Sequence, residues 1–236
     1  RLQGENLDWT DADGTPRAAC LLKGTATERS PRPLLVWLHP SLFSMDSITA
    51  TDLLPRQQTA DLSGDPTRPG FALLLVGGRG TEHYYVSPDD KGLGWDNWYR
   101  NLDRRSTTLN VDVATIDHFI AEVKGRGLVD PNRVYLSGWS NGAAMAEMYA
   151  LNTPGIAAVA VYSSPNPFHD SNDPCPQQAF GNHALPFLHV GNQCDIVGIC
   201  DTSEALMADL RARHLAMPVQ GIRLGLLGFS QTIRVV

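Results

Sequence analysis

The sequence has little charge. Asp, Glu, Lys and Arg make up 19% of its 236 residues, against about 25% in ordinary soluble domains. No run of Lys or Arg breaks the net charge of −6. A phosphate-backbone partner calls for a basic stripe, so a nucleic-acid role is disfavoured. Long apolar runs are also missing. Residues 71–76, closed by Gly77 and Gly78, and the other apolar runs fall far short of the roughly 20 residues of a membrane span, so no membrane partner is expected. The four cysteines form no C-x-x-C, and the seven histidines are not grouped with them at zinc-ligand spacing. No metal and no cofactor is expected. Internal repeats and low-complexity tracts are absent too.

Apolar residues, at 42%, suffice for one large core, and the length fits the upper end of a single domain. The sequence starts at Arg1 without a basic-then-apolar leader. That fits a mature, secreted or periplasmic protein whose signal peptide has been removed. In that setting Cys20, Cys175, Cys194 and Cys200 are expected to form one or two disulfides. Cys194 and Cys200 bracket Asp195 and are one expected pair; Cys175 with either of them is the other option.

Short apolar runs alternate with longer helical stretches. Strands are expected at 34–38, 71–76, 134–137, 156–162 and 186–190, with a further strand at 219–227 and an antiparallel edge strand at 17–22. Continuous rather than alternating hydrophobicity marks strands covered on both faces. Helices are expected at 111–124, 141–151 and 201–214, the last capped by Asp201 or Thr202. This order implies βαβ units, a mostly parallel sheet and helices on both of its faces. Two long loops, 51–70 and 163–184, are expected to crowd the carboxyl edge of the sheet, where ligands of open parallel sheets sit.

The sharpest signal is Gly138-Trp139-Ser140-Asn141-Gly142. It follows a strand and opens a helix, the context in which G-x-S-x-G forms a nucleophile elbow. A serine on so tight a turn takes strained backbone angles and projects its hydroxyl from the sheet edge. Its neighbours must be small, because strand and helix backbones approach closely there. The stretch Asp130-Pro-Asn-Arg-Val-Tyr-Leu-Ser-Gly-Trp-Ser-Asn-Gly-Ala-Ala-Met-Ala resembles extracellular polyhydroxybutyrate depolymerase-like and feruloyl-esterase-like α/β-hydrolases. Residues 34–40, Gly94-Trp-Asp-Asn-Trp-Tyr and Leu188-His-Val-Gly-Asn-Gln-Cys-Asp resemble, in the same order, that family's oxyanion strand, a Trp-rich segment near the cleft and the loop delivering the triad acid. The resemblance runs from about residue 15 to 210. It implies a single α/β-hydrolase catalytic domain over residues 1–236.

In this fold the triad follows the order Ser, acid, His. Asp195 is the expected acid, with Asp201 as runner-up. After Asp195 the sequence offers only His214, near the end of a helix, whereas the family places its histidine after the next strand. The base is therefore expected beyond Val236, in a His loop followed by a last helix, with His214, His169 and His183 as other candidates. For the oxyanion hole, the backbone N–H of Asn141 supplies one donor. The other comes from the loop His39-Pro40-Ser41, where the family has His-Gly. Pro40 has no N–H, so Ser41 is the expected donor and Leu42 the alternative. His39 reads as a loop anchor rather than a base. Trp139, Trp95, Trp98 and Tyr99 are candidates for the substrate cleft.

The leading reading is a serine carboxylic-ester hydrolase acting through an acyl-enzyme. Its substrates would be feruloyl or acetyl polysaccharide esters, or a polymeric aliphatic polyester. A serine peptidase of the same fold and a non-catalytic hydrolase-fold binding protein are the alternatives.

Overall fold

Strands buried on both faces still sort their side chains by parity, and here the parity divides the core in two. In β3 (Arg32–Leu38), Leu34, Val36 and Leu38 join one cluster, while Leu35 and Trp37 join another. In β4 (Ala72–Val76), Leu74 and Val76 go to the first cluster and Leu73 and Leu75 to the second. Long helices cover the first face: α2 (Val111–Gly125), α3 (Asn141–Leu151) and α4 (Ile199–Ala212). The second face is covered by a 3-10 helix at Met45–Ala50, the short α1 (Leu53–Arg56) and the chain leading to Gly70. The computed structural model describes residues 2–83, 90–97, 99, 101–168, 184–192, 195, 199–213 and 216–224.

Among the described residues the sheet has eight strands in the order β1-β2-β4-β3-β7-β8-β9-β10. Its remaining members are β1 (Glu5–Thr10), β2 (Pro16–Leu22), β7 (Val129–Trp139), β8 (Ile156–Tyr162), β9 (Leu185–Asn192) and β10 (Ala216–Leu224). From β4 to β10 all neighbours run parallel, and β1 and β2 are antiparallel. Thus β2 is not the edge strand expected: β1 pairs outside it. After β3 the chain steps outward to β4, then returns to β7 on the other side of β3. The strand order reverses between β3 and β7, and a crevice at the carboxyl ends of such a pair is the usual ligand position in open parallel sheets.

Residues 51–70 do not crowd that edge. They lie along the second face, where Leu53, Leu54, Ala60 and Leu62 pack on the sheet and the Tyr135 hydroxyl donates to Leu62 O. Beside the carboxyl edge sits instead a small antiparallel ribbon of β5 (Arg79–His83) and β6 (Asp90–Gly94). Helix α4 begins at Ile199, two residues earlier than expected, so Asp201 and Thr202 lie inside it rather than at its cap. Cys20 is a buried free thiol, which limits the chain to one disulfide. Residues 175 and 194 and the Cys200 side chain lie outside the described residues.

Candidate active site

Ser140 takes φ 55° and ψ −122° between β7 and α3. Such angles cost a non-glycine residue about 1–3 kcal/mol and persist only where the surroundings enforce them. Close backbone contact enforces them here. A Cβ on Gly138 would stand 2.5 Å from Gly142 O, and one on Gly142 would stand 2.3 Å from both Leu38 O and His39 O. The Ser140 N–H donates to Tyr162 O at 3.0 Å. Its hydroxyl makes no capping bond to α3, so it is not spent on local structure.

Asn141 is held by its side chain. Its Oδ1 accepts from Trp95 N at 2.7 Å, and its Nδ2 donates to Trp95 O at 3.0 Å and Asn97 Oδ1 at 2.8 Å. Its backbone N–H, at the start of α3, has no partner among the described residues. The facing loop distinguishes the two donors proposed from the sequence. Leu42 N–H is taken by Leu93 O at 2.8 Å, whereas Ser41 N–H has no partner among the described residues. Leu42 holds φ 70°, a second strained position at the same sheet edge.

His39 is fully buried. Its Nε2 accepts from Gly78 N–H at 2.8 Å, which places the ring proton on Nδ1, 2.9 Å from Pro40 O. Both nitrogens are thereby committed to anchoring the loop. Trp95 departs from the expected cleft position. It is 2% exposed, and its indole N–H donates to His39 O at 2.9 Å. The Trp95 residue therefore ties together the two loops that carry Asn141 and Ser41. Its segment is fastened further: Asp96 N–H donates to Asp112 Oδ2 at 2.6 Å, and Arg17, bridging Asp11 and Asp112, is buried with both carboxylates. Residue 98 lies outside the described residues, and Tyr99 is exposed with its hydroxyl on Thr108 O.

Trp139 points to the second face of the sheet. Its ring lies 6.3 Å from Phe43 and 6.1 Å from Tyr162, centroid to centroid. Phe43 beside it is exposed, as are Leu42, which precedes Phe43, and Leu93, whose carbonyl accepts the Leu42 N–H. Phe43 and Tyr162 carried no sequence signal, since each is an isolated aromatic in an ordinary loop or strand end.

Asp195 accepts a 2.5 Å hydrogen bond from the hydroxyl of Ser163. Ser163 follows β8, its φ is 54°, and its N–H donates to Val190 O at 2.8 Å. Trp139 pairs with Tyr162, and Tyr162 with Val190. Ser140, Ser163 and the loop bearing Asp195 thus follow one another across three adjacent strand ends, spaced by roughly 5 Å each. Every non-glycine residue with positive φ among the described residues (Leu42, Ser140 and Ser163) lies on this carboxyl edge. Ser163, which no motif flags, joins the candidate site through its bond to Asp195. Among the histidines whose side chains are described, His118 stacks on Trp9 over α2 and His189 binds Glu147. Neither joins Ser140 and Asp195. Residues 169, 183 and 214 lie outside the described residues.

No protein-family model and no curated protein sequence matches this chain. Solved structures do match. A carboxylesterase from Mesorhizobium loti is 18% identical with a TM-score of 0.57, covering 89% of this chain and 87% of its own. An esterase from Pyrobaculum calidifontis is 13% identical with a TM-score of 0.59, covering 94% and 76%. A variant of SOBER1 from Arabidopsis thaliana is 16% identical with a TM-score of 0.57, covering 85% and 92%. At these identities the likeness is one of fold. The chain has the α/β-hydrolase fold, and nothing narrower follows from the match.

Proposed function

We propose that this protein is a serine carboxylic-ester hydrolase that works through an acyl-enzyme. The strained Ser140 carries the reading: its hydroxyl is kept out of helix capping, beside a backbone N–H at the start of a helix. Ser140 Oγ attacks the ester carbonyl, and the oxyanion that forms accepts from the N–H groups of Asn141 and Ser41. A histidine takes the Ser140 proton, passes it to the leaving alcohol and then activates the water that releases the acid. Asp195, held by Ser163, orients that imidazole. The base is a histidine outside the described residues, with His169, His183 and His214 as the candidates. The exposed Phe43 beside Trp139, with the exposed Leu42 preceding it, suits an ester with a sizeable apolar or aromatic part. Feruloyl esters of polysaccharide and aliphatic polyesters both meet that description, and acetyl esters fit it less well.

Hydrolysis of p-nitrophenyl acetate and butyrate tests the reading. Turnover is expected in the native sequence and its loss, by at least about a thousandfold, in Ser140→Ala. Equal turnover in both proteins would remove the proposal.

A further inference from the structure

Two turns into α3 a carboxylate occupies a position that the rest of the helix gives to apolar side chains. Every residue of α3 is buried, and Glu147 is 0% exposed. A buried charge without partners is costly, so such a group is kept only with donors around it. Among the described residues Glu147 has two, one after β8 and one in β9. Ser164 Oγ donates to Oε2 at 2.7 Å, and His189 Nδ1 lies 2.9 Å from Oε1. With the Glu147 oxygen as the acceptor, His189 donates from Nδ1. Its Nε2 is buried with no partner among the described residues. Ser203 of α4 closes the cluster by donating to Ser164 O.

The positions of these donors in the chain give the cluster its meaning. Ser164 adjoins Ser163, whose hydroxyl holds Asp195. His189 precedes Val190, whose carbonyl accepts the Ser163 N–H. Glu147 itself is carried by the helix that Ser140 opens. The carboxylate therefore links the helix bearing the nucleophile to the two strand ends that carry the acid. Packing alone does not call for it, because replacing a buried polar cluster by well-fitted apolar side chains is often neutral or stabilising.

We propose that Glu147 is a positioning residue: through Ser164 and His189 it fixes the Ser163 bend and the end of β9 against α3, and so sets where the Asp195 carboxylate stands relative to Ser140. The consequence for turnover rests on the ester-hydrolase reading; the tethering does not.

Two substitutions separate the parts. Glu147→Leu removes both accepted hydrogen bonds. Glu147→Gln keeps the size, accepts from His189 through Oε1 and donates to the Ser164 hydroxyl through Nε2. The first readout is amide hydrogen exchange by mass spectrometry on the full chain. In Glu147→Leu, peptides containing Ser163 are expected to exchange at least about tenfold faster, while peptides from β3 and β4 stay at the native rate. Glu147→Gln is expected to recover most of that protection. If Glu147→Leu does not fold, Ser164→Ala, which loses one arm only, is expected to give the same localised change. The second readout is p-nitrophenyl acetate turnover: kcat is expected to fall at least about tenfold with KM within about threefold, and Glu147→Gln to restore most of it. Acceleration spread evenly over β3, β4 and Ser163 would overturn the proposal. So would native protection at Ser163 in both Glu147→Leu and Ser164→Ala. A native protein without esterase turnover would remove the ester-hydrolase reading, and the exchange result would still decide the tether.

Discussion

Ser140 spends backbone energy to hold its hydroxyl clear of the helix it opens. With φ at 55° and ψ at −122°, the conformation costs alanine as much as serine and costs glycine little. Ser140→Gly is therefore expected to be more stable than Ser140→Ala by about 1 kcal/mol, both being inactive; thermal unfolding of the two variants checks this. Equal or reversed stabilities would mean that no strain is stored there. At Ser163 the chemistry concerns the acid. Ser163→Ala removes the hydroxyl that donates to Asp195, so kcat is expected to fall about tenfold with KM little changed. Steady-state kinetics on a p-nitrophenyl ester decides it, and an unchanged kcat would show that Asp195 is placed by other groups. The two serines differ in how far the sequence announces them. Ser140 lies between Gly138 and Gly142, whose backbones leave no room for a Cβ. Ser163 stands in a run of Ser, Pro and Asn like many loops, and its role arises from a strand-end register that no local pattern encodes.

At the scale of elements, the segment after β6 acts as a brace. Trp95 donates to His39 O, its backbone grips Asn141 on both sides, and Asp96 is held by the N-terminal turn of α2 through Asp112. A buried indole needs an acceptor for its N–H, and here that acceptor lies at the root of the loop carrying Ser41. Trp95→Phe is expected to keep the fold while lowering kcat about tenfold, with KM within about threefold, as the two oxyanion donors lose alignment. Native far-UV dichroism with native kcat would show that the brace does not bear on turnover. The brace has its own anchor. Arg17 is fully buried between Asp11 and Asp112, so Asp112→Ala leaves Arg17 one partner short and Asp96 N–H without its acceptor. A loss of about 3–5 kcal/mol in chemical denaturation is expected; less than about 1 kcal/mol would contradict the reading. The long helices and central strands were legible because period and apolar content suffice for elements buried on one or two faces. The strand β1, with one buried residue in six, gives too faint an alternation to be seen. The brace is not legible in the sequence, because a Trp-rich segment reads equally well as a cleft wall and as a core.

For the molecule as a whole, the proposed function follows from where the strand order reverses. The elbow after β7 and the loop after β3 meet at that reversal, and Asp195 lies two strands away on the same edge. This much of the candidate site was legible in the sequence because the elbow motif names its own fold, and the fold then orders the remaining candidates. It did not reveal the exposed apolar side chains of Phe43, Leu42 and Leu93, contributed by the loop after β3 and by β6, nor the carboxylate in the middle of α3. The central claim is that Ser140 is an activated nucleophile, and covalent labelling tests it most directly. After incubation with an alkyl fluorophosphonate, intact-mass and peptide mass spectrometry are expected to show a single adduct, on Ser140, that is absent from Ser140→Ala. An unmodified native protein, or an adduct on another residue, would contradict the claim.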